Sequence, residues 1–313
     1  MALVAGVLWG LSGTVAQLLM QKGGLSPAWL VVFRMGTAGP LLLAAVALGA
    51  RGRSDSSRPA VGALLLAPWR VREDRLRLVV FALLGFAAVQ GTYLAAIDAG
   101  NAATATFLQY LAPGLVALWQ AWTTRRLPSP RSLAALALGV GGTFLLATGG
   151  GSGFALSPAA LAWGLLSAAA LAFYTVYPAP LLARYGTALV TGWAMVVGAV
   201  ALAPWVLPAG TAWKAAALQG AAWAMAGFLA FVAVGGTLVP FTLYLGSLRR
   251  LPPAETSLVA SVEPLAAALA AGLWLGVRLS PLQLVGAAAV MATVVLVTLP
   301  GAARRRPAGV GVA

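Results

Sequence analysis

The stretch from Tyr93 to Thr148 occurs twice in this chain. Displaced by 151 positions, it lies on Tyr244 to Leu299 without a gap. Tyr93-Leu94-Ala95-Ala96-Ile97 falls on Tyr244-Leu245-Gly246-Ser247-Leu248, Ala103 on Ala254 and Thr106 on Ser257. Leu111-Ala112-Pro113 falls on Val262-Glu263-Pro264, and Ser129-Pro130 on Ser280-Pro281. Resemblance among apolar helices does not align prolines and a Ser-Pro step at one displacement, so the chain is an internal duplication. The first part of each half aligns less well: Trp9-Gly10 and Leu18-Leu19 face Ala172-Phe173 and Leu181-Leu182.

The solvent for this duplication is a bilayer. Apolar residues make up 61% of the chain and charged residues 8%, against about 25% charged in a soluble domain. Ten apolar runs approach the ~20 residues that a spanning helix needs. They cover 2–21, 27–49, 76–97, 101–124 and 131–149, then 158–181, 187–207, 222–248, 253–275 and 281–299. The apolar stretch from Ala215 to Leu248 is too long for one span, so its first part, with Trp213 and Trp223, is expected near an interface.

The net charge of +14 follows membrane orientation rather than nucleic acid. With a cytoplasmic N-terminus, only Lys22, Lys214 and Arg278 of the 20 basic residues fall in outside loops, and Arg34 lies within a span. That bias places both termini in the cytoplasm. The N-terminus begins apolar at Ala2, so the first run is expected to be a permanent span.

Each half then carries five spans. Five is odd, so the second half enters the membrane from the opposite side. The expected fold is all-α and integral to the membrane, with ten transmembrane helices as two inverted five-helix repeats. The first repeat covers 1–149, with a basic cytoplasmic loop at 50–75. A Gly-rich linker covers 150–157, the second repeat 158–300 and a basic cytoplasmic tail 301–313. Gly149-Gly150-Gly151-Ser152-Gly153 reads as a flexible hinge between the halves.

These features together resemble the EamA family of the drug/metabolite transporter superfamily. The resemblance rests on Leu8-Trp9-Gly10, Phe33-Arg34-Met35, the Tyr93 and Tyr244 segments, and Ser261-Val262-Glu263-Pro264, and covers about residues 2–299. It implies a ten-helix inner-membrane transporter of small organic solutes, often working outward. One departure stands out. Members of the family often carry Leu-Gly-Glu before the last span of a repeat, and here the halves read Thr124-Arg125-Arg126-Leu127 and Leu275-Gly276-Val277-Arg278.

Six acidic residues exist. Asp55, Glu73 and Asp74 are expected to moderate the charge of the basic loop, and Asp98 to sit at a solvated helix end. Glu255 lies near the cytoplasmic start of span 9 and is either interfacial, at a helix N-terminus, or part of a proton path. Glu263 falls near the middle of its span. A charge there costs ~2.5–3.5 kcal/mol on insertion scales and therefore faces a cavity or a partner. Glu263 is accordingly a candidate proton carrier and substrate ligand, with a structural role as the alternative. Arg34 lies at similar depth in span 2. It and Glu263 either pair or bind opposite ends of a zwitterion, unless Arg34 snorkels to the headgroups.

Further candidate substrate-binding residues are Gln109, Tyr110 and Tyr174, with the repeat mates Tyr93 and Tyr244; helix packing is the other reading of the aromatics. Trp9 lines a cavity by the resemblance. Pro113, Pro240 and Pro264 are candidate helix kinks where the repeats bend.

The composition narrows the function. Cys and His are absent, which removes thiol chemistry, thiolate metal sites and the usual proton shuttle. The only lysines, Lys22 and Lys214, precede Gly and Ala, so no phosphate loop of the Gly-Lys-Ser/Thr type exists. The expected function is a secondary transporter, an exporter or exchanger of amino acids or drug-like amphiphiles working by alternating access. The alternative is an integral membrane enzyme acting on lipid-like substrates. The expected partners are a small-molecule substrate and the lipid bilayer, without nucleic acid, metal or cofactor; a homodimer is left open.

Overall fold

The computed structural model describes residues 1–21, 23–51, 60–100, 102–148, 157–206, 222–275 and 280–298. Among these, all regular structure is helical. The first half comprises α1 (Ala2–Gln21), α2 (Pro27–Arg51), α3 (Val61–Leu65), α4 (Ala67–Arg70) and α5 (Arg72–Val80). A π-helical segment π1 (Phe81–Ala87) follows, then α6 (Ala88–Ala99), α7 (Ala102–Gln109), α8 (Ala112–Thr124) and α9 (Pro130–Thr148). The second half comprises α10 (Pro158–Val176), α11 (Ala179–Tyr185), α12 (Thr187–Val206), α13 (Ala222–Ala233), π2 (Val234–Leu238) and α14 (Val239–Ser247). It ends with α15 (Pro253–Ala260), α16 (Glu263–Leu275) and α17 (Pro281–Thr298). The expected hinge at Gly149–Gly153, the interfacial stretch after Ala215 and the basic tail lie wholly or largely outside the described residues.

By length and composition, seven helical runs among the described residues are able to cross a membrane: Ala2–Gln21, Pro27–Ala50, Arg72–Ala99, Pro130–Thr148, Pro158–Tyr185, Thr187–Pro204 and Trp223–Ser247. Pro281–Val297 is apolar and slightly shorter. The remaining two expected spans, 101–124 and 253–275, are not continuous. Turns at Tyr110-Leu111 and Ser261-Val262 break them into α7 and α8, and into α15 and α16. The breaks occupy equivalent places in the two repeats. Each precedes a proline, Pro113 or Pro264, within the first two positions of the following helix. Proline gives no N–H to the carbonyl four residues back and its ring crowds that carbonyl. The chain tightens instead, with Leu111 N–H donating to Leu108 O (3.2 Å) and Ser261 N–H to Leu258 O (3.2 Å).

The π segments correspond too. The displacement that superposes the repeats carries Gly85 of π1 onto Gly236 of π2. Such one-turn departures from α geometry free backbone groups, and they often accompany functional sites.

Two helix pairs of matching rank in the repeats pack side by side and antiparallel. Arg131 at the start of α9 donates to Leu296 O near the end of α17 (2.6 Å), and Gln283 at the start of α17 donates to Leu146 O near the end of α9 (3.1 Å). These helices cross at Gly142 and Gly286, where a Cβ on either would come within 2.7 Å of the other's carbonyl oxygen. The pair α2 and α12 crosses at Gly39 and Gly192 in the same manner, with a Cβ on Gly39 3.0 Å from Gly192 O. In lipid, close backbone approach of this kind supplies the packing that hydrophobic burial supplies in water.

Asp74 departs from its expected role as a loop charge. It is 5% exposed and accepts hydrogen bonds from Arg184 (2.7 Å) and Tyr185 (2.6 Å). It ties α5 of the first half to α11 of the second. Glu73 does fit the solvated reading, pairing with Arg77 one turn on at an exposed face.

The crossing of α9 and α17 gives a test with an internal control. A Cβ on Gly142 meets backbone, whereas one on its neighbour Gly141 meets nothing within 4 Å. Gly142→Ala is expected to lower stability by about 1–3 kcal/mol through overpacking. Gly141→Ala is expected to be neutral or slightly stabilising, because alanine restricts the unfolded chain. Thermal unfolding of the detergent-solubilised variants checks both.

Candidate functional site

Proline placement builds the site. Pro240 offers no N–H to Gly236 O, one turn earlier in π2. Arg34 takes that acceptor: its Nη2 donates to Gly236 O (2.9 Å) and its Nε to Thr237 Oγ1 (2.7 Å). Pro264 likewise leaves Ala260 O without its helical donor, and the Tyr110 hydroxyl lies 2.8 Å from it. In both cases a buried polar side chain of the first half satisfies a carbonyl orphaned in the second. A buried carbonyl left alone would cost about 1–3 kcal/mol.

Tyr110 also lies 2.8 Å from Glu263 Oε2. Glu263 is 5% exposed and stands first in α16, beside the break. α1 lies close against this break because Gly6 and Gly10 face it. A Cβ on Gly10 would overlap Glu263 O, and one on Gly6 would meet Ala260 O.

Between these elements lies a cavity lined by Trp9, Ser12, Gly13, Arg34, Val89, Gln90, Tyr93, Gln109, Leu171, Phe241 and Glu263. Its volume is about 40 Å³, room for a few waters. Anything of amino-acid size therefore requires the surrounding side chains to move.

The lining contains polar atoms without protein partners: Trp9 Nε1, Ser12 Oγ and both amide atoms of Gln90. Ser12 and Gln90 are 1% and 3% exposed. Buried polar atoms in native proteins nearly always have partners. A cluster of such atoms facing one cavity marks a place for a polar guest or water. Other lining groups are fixed. Gln109 donates to Ser167 Oγ (2.7 Å), and Tyr93 shares a hydrogen bond with Thr106 (2.9 Å).

On one side of the cavity stands a connected aromatic layer. Trp9 contacts Phe241 edge-on (ring centroids 4.9 Å apart) and Tyr244 (5.2 Å). Phe241 contacts Phe86 (4.6 Å) and Tyr174 (5.7 Å), and Tyr174 stacks on Phe81 (5.4 Å). The Tyr244 hydroxyl bonds Thr175 (2.9 Å). Beyond this layer a second, larger cleft is lined by residues including Met1, Tyr185, Thr242, Gly246, Arg249 and Arg250.

Most expected site residues converge. Trp9, Arg34, Tyr93, Gln109 and Glu263 line one cavity, and Tyr110 bonds Glu263 from behind it. Tyr174 and Tyr244 stand in the aromatic layer instead of the lining. Glu255 sits apart, in a cleft with Pro113, Arg126 and Leu258. Arg34 and Glu263 do not pair: they act on one another only electrostatically, Arg34 being held by π2. Pro240 and Pro264 each free a carbonyl, and Pro113 marks the matching break.

Ser12, Gln90, Phe241 and Thr237 join the site only in the structure. Gln90, a glutamine inside a span, carried a usable signal. Ser12 and Thr237 carried little, since hydroxyls in spans commonly bond their own helix.

Comparison with known proteins agrees with this architecture. An uncharacterized inner membrane transporter of Salmonella typhimurium, YicL, is 35% identical over 309 residues, covering 98% of this chain and 96% of the relative. An uncharacterized transporter of Archaeoglobus fulgidus is 28% identical over 243 residues, covering 75% of this chain and 82% of the relative. A solved crystal structure shares the fold, with a TM-score of 0.71 at 20% identity, over 95% of this chain and 96% of that one. Residues 1–148 and 158–299 each match the EamA-like transporter family, and the chain, a multi-pass membrane protein, belongs to that family.

Proposed function

We propose that this protein is a secondary transporter that carries small organic solutes bearing both polar and apolar parts, such as amino acids or amphiphilic metabolites, across the cytoplasmic membrane. The observation that carries this reading is the cavity itself. Trp9, Ser12 and Gln90 present unpartnered polar atoms beside Glu263, at a proline break in a membrane helix. Discontinuous helices at equivalent places in two repeats are a recurrent setting for transport sites. Trp9, Phe241 and Leu171 supply an apolar wall for the non-polar part of the guest. Arg34 and Glu263 on the same cavity suit opposite ends of a zwitterion, with Arg34 acting at a distance through its charge.

The topology of this reading is ten spans in two inverted repeats, residues 1–149 and 158–300. It counts α7 with α8, and α15 with α16, as one broken span each. The antiparallel contact of α9 with α17, equivalent helices of the two repeats, supports it. So does the gathering of Met1, Gly186, Arg249 and Arg250, all assigned to the cytoplasmic side, around one cleft. In this frame the aromatic layer from Trp9 to Phe81 closes the cytoplasmic side of the cavity. Alternating access opens that layer and closes the opposite side. Export or exchange is the direction proposed.

Two measurements test this reading. The chain lacks cysteine, so single cysteines report orientation without background. Ser26→Cys and Ser157→Cys are expected to react with an impermeant thiol reagent in intact cells, and Ser129→Cys only after permeabilisation; the reverse pattern overturns the topology. In liposomes, counterflow of labelled amino acids and amphiphilic metabolites is expected for at least one compound. Gln90→Leu is expected to lower that flux by about tenfold or more, the scale of one or two lost buried hydrogen bonds. Glu255→Gln, away from the cavity, is expected to leave it unchanged. Flux of no compound, or flux indifferent to Gln90→Leu, contradicts the assignment.

A further inference from the structure

Tyr110 occupies an unusual position among hydrogen-bond acceptors. Its hydroxyl has one proton, and two oxygens lie 2.8 Å from it, Ala260 O and Glu263 Oε2. Ala260 O needs a donor because Pro264 provides none. One proton cannot serve both acceptors well. At this hydroxyl, Tyr110, Ala260 O and Glu263 Oε2 are satisfied together only when Glu263 carries a proton. The Glu263 O–H then donates to Tyr110, and Tyr110 donates to Ala260 O.

We propose that Glu263, Tyr110 and the Ala260 carbonyl form a proton-operated latch across the two helix breaks, with Tyr110 the residue that converts the charge of Glu263 into the hydrogen bonding of the backbone. On ionisation the carboxyl O–H bond breaks, its electron pair stays on the carboxylate and the proton passes to cavity water. The carboxylate then claims the Tyr110 proton, because a charged acceptor forms the stronger bond. Ala260 O loses its donor, and the joint between α15 and α16 loosens. Protonation reverses each step. The joint belongs to the second repeat and Tyr110 to the break in the first, so the latch holds equivalent points of the two repeats together.

The surroundings leave Glu263 as the group that switches. Of the elements packed on α15 and α16, α1, α7, α8 and α17 carry no titratable side chain. α9 offers Arg131, bound to Leu296 O, while α10 and α14 offer Tyr174 and Tyr244 in the aromatic layer. Glu255 lies on α15, in the separate cleft. Across the cavity stands Arg34, held by π2, while Tyr93, which bonds Thr106, also offers its hydroxyl to Glu263 beside Tyr110.

The latch rests on the transporter reading for its purpose, but its test needs no substrate. The full chain is reconstituted in nanodiscs and taken from mildly acidic to mildly alkaline pH. Infrared difference spectra are expected to show a protonated-carboxyl band that disappears on alkalinisation, is absent in Glu263→Gln and is displaced in Tyr110→Phe. Amide exchange in residues 257–263, corrected for the chemical rate, is expected to quicken as the band disappears. That pH dependence is expected to be lost in both variants, with Glu263→Gln, whose amide donates as the acid does, locked in the slow state. A band insensitive to Glu263→Gln, or exchange that keeps its pH dependence in Tyr110→Phe, overturns the latch. If Tyr110→Phe does not fold, Glu263→Gln decides alone: retained pH dependence of exchange refutes the proposal. Absence of solute flux would count against the transporter reading and leave these outcomes standing.

Discussion

The structure around the cavity depends on backbone carbonyls that have lost their helical donors. In lipid there is no water to satisfy them, so each needs a partner from the protein. Pro240 and Pro264 create two such carbonyls, and Arg34 and Tyr110 occupy them at 2.9 and 2.8 Å. These bonds cross from one repeat to the other. They hold the helix breaks at the cavity and place Arg34 and Glu263 on its wall. The same fact explains why the two charges are not a salt bridge. Arg34 is committed to π2, which leaves Glu263 with the tyrosines Tyr110 and Tyr93 as its neutral partners. A direct ion pair here would have to offset the removal of both charges from water, a cost of several kcal/mol per ion.

The duplication gives the molecule its economy of parts. Both broken helices and both π segments fall at matching places in the two halves, so each feature follows from a local sequence pattern used twice. The chemistry is nevertheless asymmetric. Ala112 stands where the second repeat has Glu263, and Tyr110 where it has Ser261. One break therefore carries the carboxylate and the other supplies the hydroxyl that meets it. Glycines at Gly6 and Gly10 then bring α1 near enough to seal the break. The contact between Tyr110 and Glu263 arises where the copies have diverged.

Much of this was legible in the chain. The membrane class follows from apolar content, the repeat from prolines and tyrosines at one displacement, and the buried Glu263 and Arg34 from the cost of charge in a span. Trp9, Tyr93 and Gln109, candidates by residue type and position, line one cavity in the structure. The breaks were not visible as breaks, because hydropathy averages over residues and does not register a missing N–H. Pro264 signalled a kink, but only the fold shows that its orphaned carbonyl meets Tyr110, 150 residues away. The role of Asp74 is hidden in the sequence for the same reason: its partners Arg184 and Tyr185 lie 110 and 111 residues along the chain. Ser12 and Gln90 became candidates only when the cavity left their polar atoms without partners. Residue type and spacing foresee a polar group, but not which one the fold leaves unpaired.

Satisfaction by first-repeat side chains of carbonyls orphaned by second-repeat prolines is measured by a double-mutant cycle of Tyr110→Phe with Pro264→Ala. Alanine at 264 restores an N–H for Ala260 O, so the Tyr110 hydroxyl should matter less in that background. Tyr110→Phe is expected to lower unfolding stability by about 1 kcal/mol less when Pro264→Ala is present, a coupling outside the ~0.3–0.5 kcal/mol scatter of independent sites. Strict additivity of the two substitutions would contradict it.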